Sequence, residues 1–134
     1  MDEILLDTDT VSLFLKNYPK IIAAANLYLS HFRGFTFSSI TRYEVLRGLK
    51  IKNAQKQIER FEIVCSNSRI LQINDAIIVK ASNIYADLYK RGQIIGDADI
   101  LIAATAIENN LAIATNNERH FNRITGLQIL NWNK

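Results

Sequence analysis

The side chains best placed to do chemistry are three carboxylates, Asp7, Glu44 and Asp99. Asp7 closes the apolar run Ile4-Leu5-Leu6, Glu44 follows Ser38-Ser39-Ile40-Thr41-Arg42-Tyr43, and Asp99 opens Ile100-Leu101-Ile102-Ala103-Ala104. Each stands where a strand ends or a helix begins. Carboxylates gathered in one place repel one another, and a hard divalent cation with oxygen ligands relieves that repulsion. Such a set, holding Mg²⁺ or Mn²⁺ as cofactor, supports attack of water on a phosphate ester.

The elements that must position these acids follow from the alternation of short apolar runs with longer helical patterns. That alternation predicts an α/β fold with a mainly parallel central sheet flanked by helices. Strands are expected at Ile4–Leu6, Phe35–Phe37, Ile70–Ile73 (a strand or a short edge element), Leu111–Ala114 and Leu127–Leu130. The clearest helix follows Asp75, a plausible N-cap, with Ile77, Ala81, Ile84 and Leu88 at helical spacing and Gly92 as its stop. Other helices are expected over Pro19–Phe32, from near Thr41, over Ala54–Val64 and from near Asp97, the last apolar almost all round and therefore buried on more than one side. Asn109-Asn110 turns the chain into the next strand. Open parallel sheets build their sites at the carboxyl edge of the strands, and this layout brings Asp7, Glu44, Asp99 and the segment Thr115-Asn116-Asn117 to that edge.

Each acid also has a purely structural explanation. Asp7 could cap the first helix. Thr41 and Glu44 match a capping box. Asp97 and Asp99 suit the positive end of a helix dipole, and one of the two is expected to do only that. Asp9 points the same way as Asp7 if the first strand continues, with the Thr8 hydroxyl facing elsewhere; alternatively it caps a helix Val11–Lys16. Thr115, Asn116 and Asn117 offer neutral oxygens for a cation or its waters, or simply form a turn. His31 reads as a helical surface residue, and His120 as a residue beside the site loop.

Composition narrows the class. The chain has 134 residues, 49% of them hydrophobic, which suits one folded domain spanning 1–134. The single cysteine, Cys65, has no partner for an internal disulfide and sits beside Ile63 and Val64, so a buried thiol and a reducing cytoplasm are expected. No apolar run approaches the ~18 residues that span a membrane. Net charge is +3, and Arg42, Arg47, Lys50, Lys52, Lys56 and Arg60 crowd one segment, with Lys90, Arg91, Arg119 and Arg123 forming a second basic set. A solvated helix face and a phosphate-tracking surface would use the same residues. The combination reads as a nuclease.

Four stretches together resemble the PIN-domain ribonucleases of the VapC toxin type: Leu5-Leu6-Asp7-Thr8-Asp9, Ile40 through Gly48, Ile95 through Ala106, and Ala114 through Phe121 followed by Gly126-Leu127. The resemblance covers nearly the whole chain. It implies an endoribonuclease whose invariant acids correspond to Asp7, Glu44 and Asp99, with Asp97 at a variable position. It also implies an RNA substrate, a cognate antitoxin whose tail enters the active-site groove, and a homodimer. Two departures stand out. Relatives usually carry Asn or Ser at the place of Asp9. Where many carry a fourth acid, this chain has Asn116 and Asn117, with Glu118 adjacent as a substitute, so one tightly held ion is favoured over two.

The expected division of labour makes Asp7 and Asp99 direct metal ligands and Glu44 the holder of water or general base. Arg42, Arg47, Arg91 and Arg119 are the candidate RNA phosphate contacts, which position a substrate without reading its bases. Two rival readings carry different chemistry. Asp7-Thr8-Asp9-Thr10-Val11 also fits the start of a haloacid-dehalogenase-like phosphatase with Asp7 as nucleophile and Asp9 as general acid, which leaves Glu44 idle. A non-catalytic RNA-binding module would have lost a site acid, and none is lost.

Overall fold

The first strand, β1 (Ile4–Leu6), lies at the centre of a five-stranded sheet in the order β3-β2-β1-β4-β5, with every neighbouring pair parallel. The structure, a computed structural model, describes residues 1–134. Chain order is β1, α1 (Thr8–Leu15), α2 (Pro19–Leu29), β2 (Thr36–Ser38), α3 (Ser39–Ile51), α4 (Gln55–Ser66), β3 (Arg69–Leu71), α5 (Asp75–Lys90), α6 (Asp97–Glu108), β4 (Ala112–Ala114), α7 (Glu118–Phe121) and β5 (Ile129–Leu130). The sheet therefore grows outward from β1 in one direction through β2 and β3 and in the other through β4 and β5. The order reverses between β1 and β4, and at such a switch point the connections diverge and leave a crevice at the carboxyl ends of the strands.

Side-chain alternation along β1 feeds both faces of the sheet. Leu5 joins a core with Ile77, Leu88, Ile102, Ala103 and Ile113 beneath α5 and α6. Ile4 and Leu6 join the opposite core with Val11, Tyr28, Phe37 and Phe61 beneath α1 to α4. Helix α6 is buried on several sides, with Ile102, Ala103, Ala104 and Ala106 wholly inaccessible, as its all-round apolar sequence predicts. Truncating one of the inaccessible aromatics, such as Phe61, to Ala would cost about 3–5 kcal/mol.

Several local expectations need correction. Helix α1 begins at Thr8, capped by Asp7, so Asp9 lies inside the first turn and caps nothing. Helix α3 begins at Ser39, capped by Ser38 whose hydroxyl accepts from the Ile40 amide at 2.9 Å; Thr41 is buried inside the helix, and the Thr41–Glu44 capping box does not form. Asn74, not Asp75, caps α5, accepting from the Ile77 amide at 2.9 Å. Helix α2 stops at Leu29, leaving His31 in the turn beyond it. At α1, α3 and α5 an Asp, Ser or Asn one to three residues upstream takes the cap, because the chain turns into its helix earlier than apolar periodicity alone indicates. The third strand is the expected edge element, Cys65 is a buried free thiol, and Gly92 takes the left-handed conformation (φ 67°) that ends α5. Asn110 turns the chain into β4 with a φ of 55°.

Candidate functional site

Asp7 stands where β1 stops and α1 starts, on the β1–β4 crevice. Its amide donates to the Ala114 carbonyl at 2.9 Å, which continues the β1–β4 ladder by one residue. Its side chain accepts from the Thr8 amide at 2.8 Å and from the Thr115 hydroxyl at 2.8 Å, and only 4% of the residue is exposed. The cap that sequence offered as the structural explanation of Asp7 is thus real, but it occupies one carboxylate oxygen and leaves the other facing the end of β4.

Asp9 reaches the same place from inside the helix. Its carboxylate accepts from the Asn116 amide at 3.0 Å and from the Thr10 hydroxyl at 3.2 Å, and lies 3.4–3.5 Å from the Thr115 hydroxyl. Thr10 also donates to the Ala114 carbonyl at 2.9 Å, tying α1 to the end of β4. Burial and the neighbouring Asp9 charge push the Asp7 carboxyl up to about 8, against the hydrogen bonds from Thr115 and Thr8; the Asp99 charge pushes it the same way. Burial also raises the Asp9 carboxyl, opposed by its bonds from Asn116 and Thr10.

Asp99 enters from the first turn of α6, where the helix dipole favours a negative side chain. The ring nitrogen Nδ1 of His120 lies 3.4 Å from its Oδ2 and 2.8 Å from Asn117 Nδ2, so the loop after β4 backs this acid. Glu44, one turn into α3, accepts from the Thr8 hydroxyl at 2.7 Å, and that hydroxyl is 3.0 Å from the Thr41 hydroxyl. Thr8 therefore does not face away, as an extended strand would make it: the helical start rotates it toward α3 and makes it the bridge between Asp7 and Glu44. Its place between two acids was the only signal for it in the sequence.

Other expected site residues lie elsewhere. Asp97 is exposed and lines a groove between α5 and α6 with Tyr85 and Leu101. The Glu118 carboxylate is held by Asn131 and Lys134, each at 2.9 Å, and so secures the C-terminal segment instead of supplying a further acid. Arg42 points to α4, where its guanidinium pairs with Glu62 at 2.5 Å and lies 3.1 Å from Cys65 Sγ. Arg91 binds Asp87 at 2.7 Å and the Arg123 carbonyl at 2.5 Å, latching the end of α5 to a loop. Arg47 alone of the candidate phosphate contacts stands beside a site acid, 3.8 Å from Glu44 and stacked on the Tyr43 ring at 5.0 Å. Arg119 is exposed on α7.

The donor set fits a divalent cation. Neither Lys nor Arg pairs with Asp7, Asp9 or Asp99, although five Lys or Arg ion pairs form elsewhere and His120 lies beside Asp99. The Asn116 side-chain oxygen is buried beside them without a hydrogen-bond partner. No three acids or histidines close into a ready-made ligand cage. That arrangement suits Mg²⁺, which takes one or two carboxylates and keeps several waters, and not a fully protein-coordinated ion.

Comparison with known proteins gives the geometry its context. The PIN-domain family model matches residues 4–127. Ribonuclease VapC1 of Haemophilus influenzae is 32% identical over 97% of this chain and 98% of its own length. The tRNA(fMet)-specific endonuclease VapC of Salmonella typhimurium is 31% identical over 98% and 99%. A chain in the crystal structure of DNA-bound VapBC from Salmonella typhimurium superposes with a TM-score of 0.87 at 30% identity, covering 98% of this chain and 99% of that one. The phosphatase reading of Asp7-Thr8-Asp9 is overturned with it, since the family match runs through all four motif stretches and gives Glu44 a place beside Thr8. The chain belongs to the PIN-domain family, in its VapC branch.

Proposed function

We propose that this protein is a divalent-metal-dependent endoribonuclease and the toxin of a toxin–antitoxin pair. The observation that carries the reading is the buried Asp7, held by Thr8 and Thr115 beside Asp9, with no Lys or Arg paired to Asp7, Asp9 or Asp99. Similarity to VapC ribonucleases over nearly the full length, and to a VapC chain solved with its VapB partner, supports the substrate class and the antitoxin. No helix is long and apolar enough to cross a membrane.

Asp7 and Asp99 would hold Mg²⁺ or Mn²⁺, with Asp9 and the amide oxygens of Asn116 and Asn117 receiving its waters. The bound cation would supply Lewis acidity at a phosphoryl oxygen and a more acidic water. Glu44 takes the proton of the attacking water, and Thr8 fixes the carboxylate that does so. Thr115 holds Asp7, and His120 stands beside Asp99 with its Nδ1 3.4 Å away. As water adds, the bond from phosphorus to the 3′-oxygen breaks and that oxygen takes a proton from solvent, leaving a 5′-phosphate and a 3′-hydroxyl. A homodimer is part of the proposal; the exposed row Ile78, Tyr85 and Tyr89 on α5 offers an apolar face for it.

The test is cleavage of total RNA by the purified protein, with fragment ends mapped. Cleavage that EDTA stops, that Mg²⁺ or Mn²⁺ restores and that Asp99→Asn abolishes in a folded protein supports the reading. Cleavage that persists in EDTA, or in the Asp99 variant, contradicts it.

A further inference from the structure

Two of the four arginines expected to track phosphate are committed elsewhere: Arg42 to Glu62 and Arg91 to Asp87. Arg47 keeps its place beside Glu44, and the other cations on that side of the acid are lysines. Glu44, Gly48 and Lys52 recur every fourth residue along α3 and so form one row on the helix surface. They line a recess of about 90 Å³ floored by Val45 and Leu49 and closed on the α1 side by Lys16. Neither lysine forms an ion pair within the chain. A Cβ built on Gly48 meets no atom within 4 Å, so the missing side chain leaves room in the recess without being required by the packing.

We infer that this recess, which starts at Glu44 and leads away from the acids, seats a phosphate of the RNA strand next to the bond being cut, with Lys16 and Lys52 as its counter-charges. The inference rests on the ribonuclease reading above. The recess is a small surface hollow, lined by one carboxylate and two lysines. Two ammonium groups facing one carboxylate give the recess an excess positive charge, which favours a polyanion. Its continuity with Glu44 puts that polyanion next to a site acid. Both lysines also stand at helix C-terminal caps, where a positive charge offsets the dipole; that role alone would show in thermal stability and leave RNA affinity untouched.

The experiment uses full-length protein carrying Asp99→Asn to prevent turnover, and a short labelled single-stranded RNA of mixed sequence, followed by fluorescence anisotropy across a salt series in Mg²⁺. The double substitution Lys16→Ala and Lys52→Ala is expected to weaken binding about tenfold and to flatten the log–log salt dependence by roughly 0.7 per lost phosphate contact. Gly48→Glu, which fills the recess with a group of the same charge as phosphate, is expected to weaken binding further, while Gly48→Ala raises the melting temperature because its methyl meets open space inside a helix. Affinity and salt slope unchanged in both the lysine and the Gly48→Glu variants would overturn the inference. So would Gly48→Glu leaving RNA binding intact while abolishing inhibition by a co-purified antitoxin, which would assign the recess to a protein partner. The two readings fail separately. A native chain that cleaves no RNA sinks the ribonuclease itself; a native chain that cleaves RNA beside variants that bind as well as their parent sinks only the recess.

Discussion

The Thr115 hydroxyl sits 2.8 Å from Asp7 Oδ2 and joins the carboxyl ends of the two central strands at the point where the sheet order reverses. The same hydroxyl accepts from the Asn117 amide at 2.9 Å, so one side chain fixes both an acid and the loop that backs Asp99. Thr115→Val keeps the shape and removes the donor. Loss of that bond lets the Asp7 carboxyl rise further and orphans the Asn117 amide. The expected outcome is a roughly tenfold weaker Mn²⁺ affinity, about 1.4 kcal/mol, with a stability loss of about 1–3 kcal/mol. Metal titration and chemical denaturation measure the two separately.

Glu44 separates a structural role from a chemical one. Because Ser38 caps α3 and Glu44 bonds to Thr8 instead of the helix end, Glu44→Gln should leave the melting temperature within a few degrees of the parent. RNA cleavage should fall by about 10²–10⁴-fold, the range for losing a general base. Thr8→Val should give a smaller loss of the same kind. A fall in stability that matches the fall in rate would make Glu44 a structural residue.

The acid cluster also sets a pH dependence of stability. The folded-state carboxyl of Asp7 lies near 8, well above its ordinary value of 3.8, so between these limits the folded state binds more protons than the unfolded one. Stability of the metal-free protein should therefore be highest toward pH 4 as far as this group is concerned and decline as pH rises through 8. Asp7→Asn should flatten that decline, and Mg²⁺ should reverse it by binding the ionised form. Thermal melts across pH, with and without Mg²⁺, check all three.

Arg42 is expected to matter for the α3–α4 contact only. Its partner Glu62 is half exposed, so the pair contributes about 0–1 kcal/mol. Arg42→Ala should lower the melting temperature slightly and leave RNA cleavage near the parental rate. A large loss of RNA affinity would restore it as a phosphate contact.

The sequence made the parallel α/β architecture legible, with Asp7 at a strand end and Asp99 in the first turn of α6, because strand ends and the all-apolar α6 are written in short local runs. Cap positions were not legible: Ser38, Thr41 and Asp75 all satisfy the chemistry of a cap, and only the point where the chain leaves its strand or loop selects one. Thr8 was misread for the same reason, since its direction flips between an extended and a helical residue. The fates of Arg42, Arg91 and Glu118 depended on partners 20, 4 and 13 residues away along the chain, and spacing alone does not say which of many opposite charges or amides a long side chain will meet.

The most direct measurement is equilibrium Mn²⁺ binding to the purified protein, read by electron paramagnetic resonance, beside Asp7→Asn and Asp99→Asn. One ion held by the parent and affinity at least tenfold weaker in both folded variants is the predicted result. Undiminished binding in both variants, or none in the parent, would show that these acids do not coexist by sharing a cation.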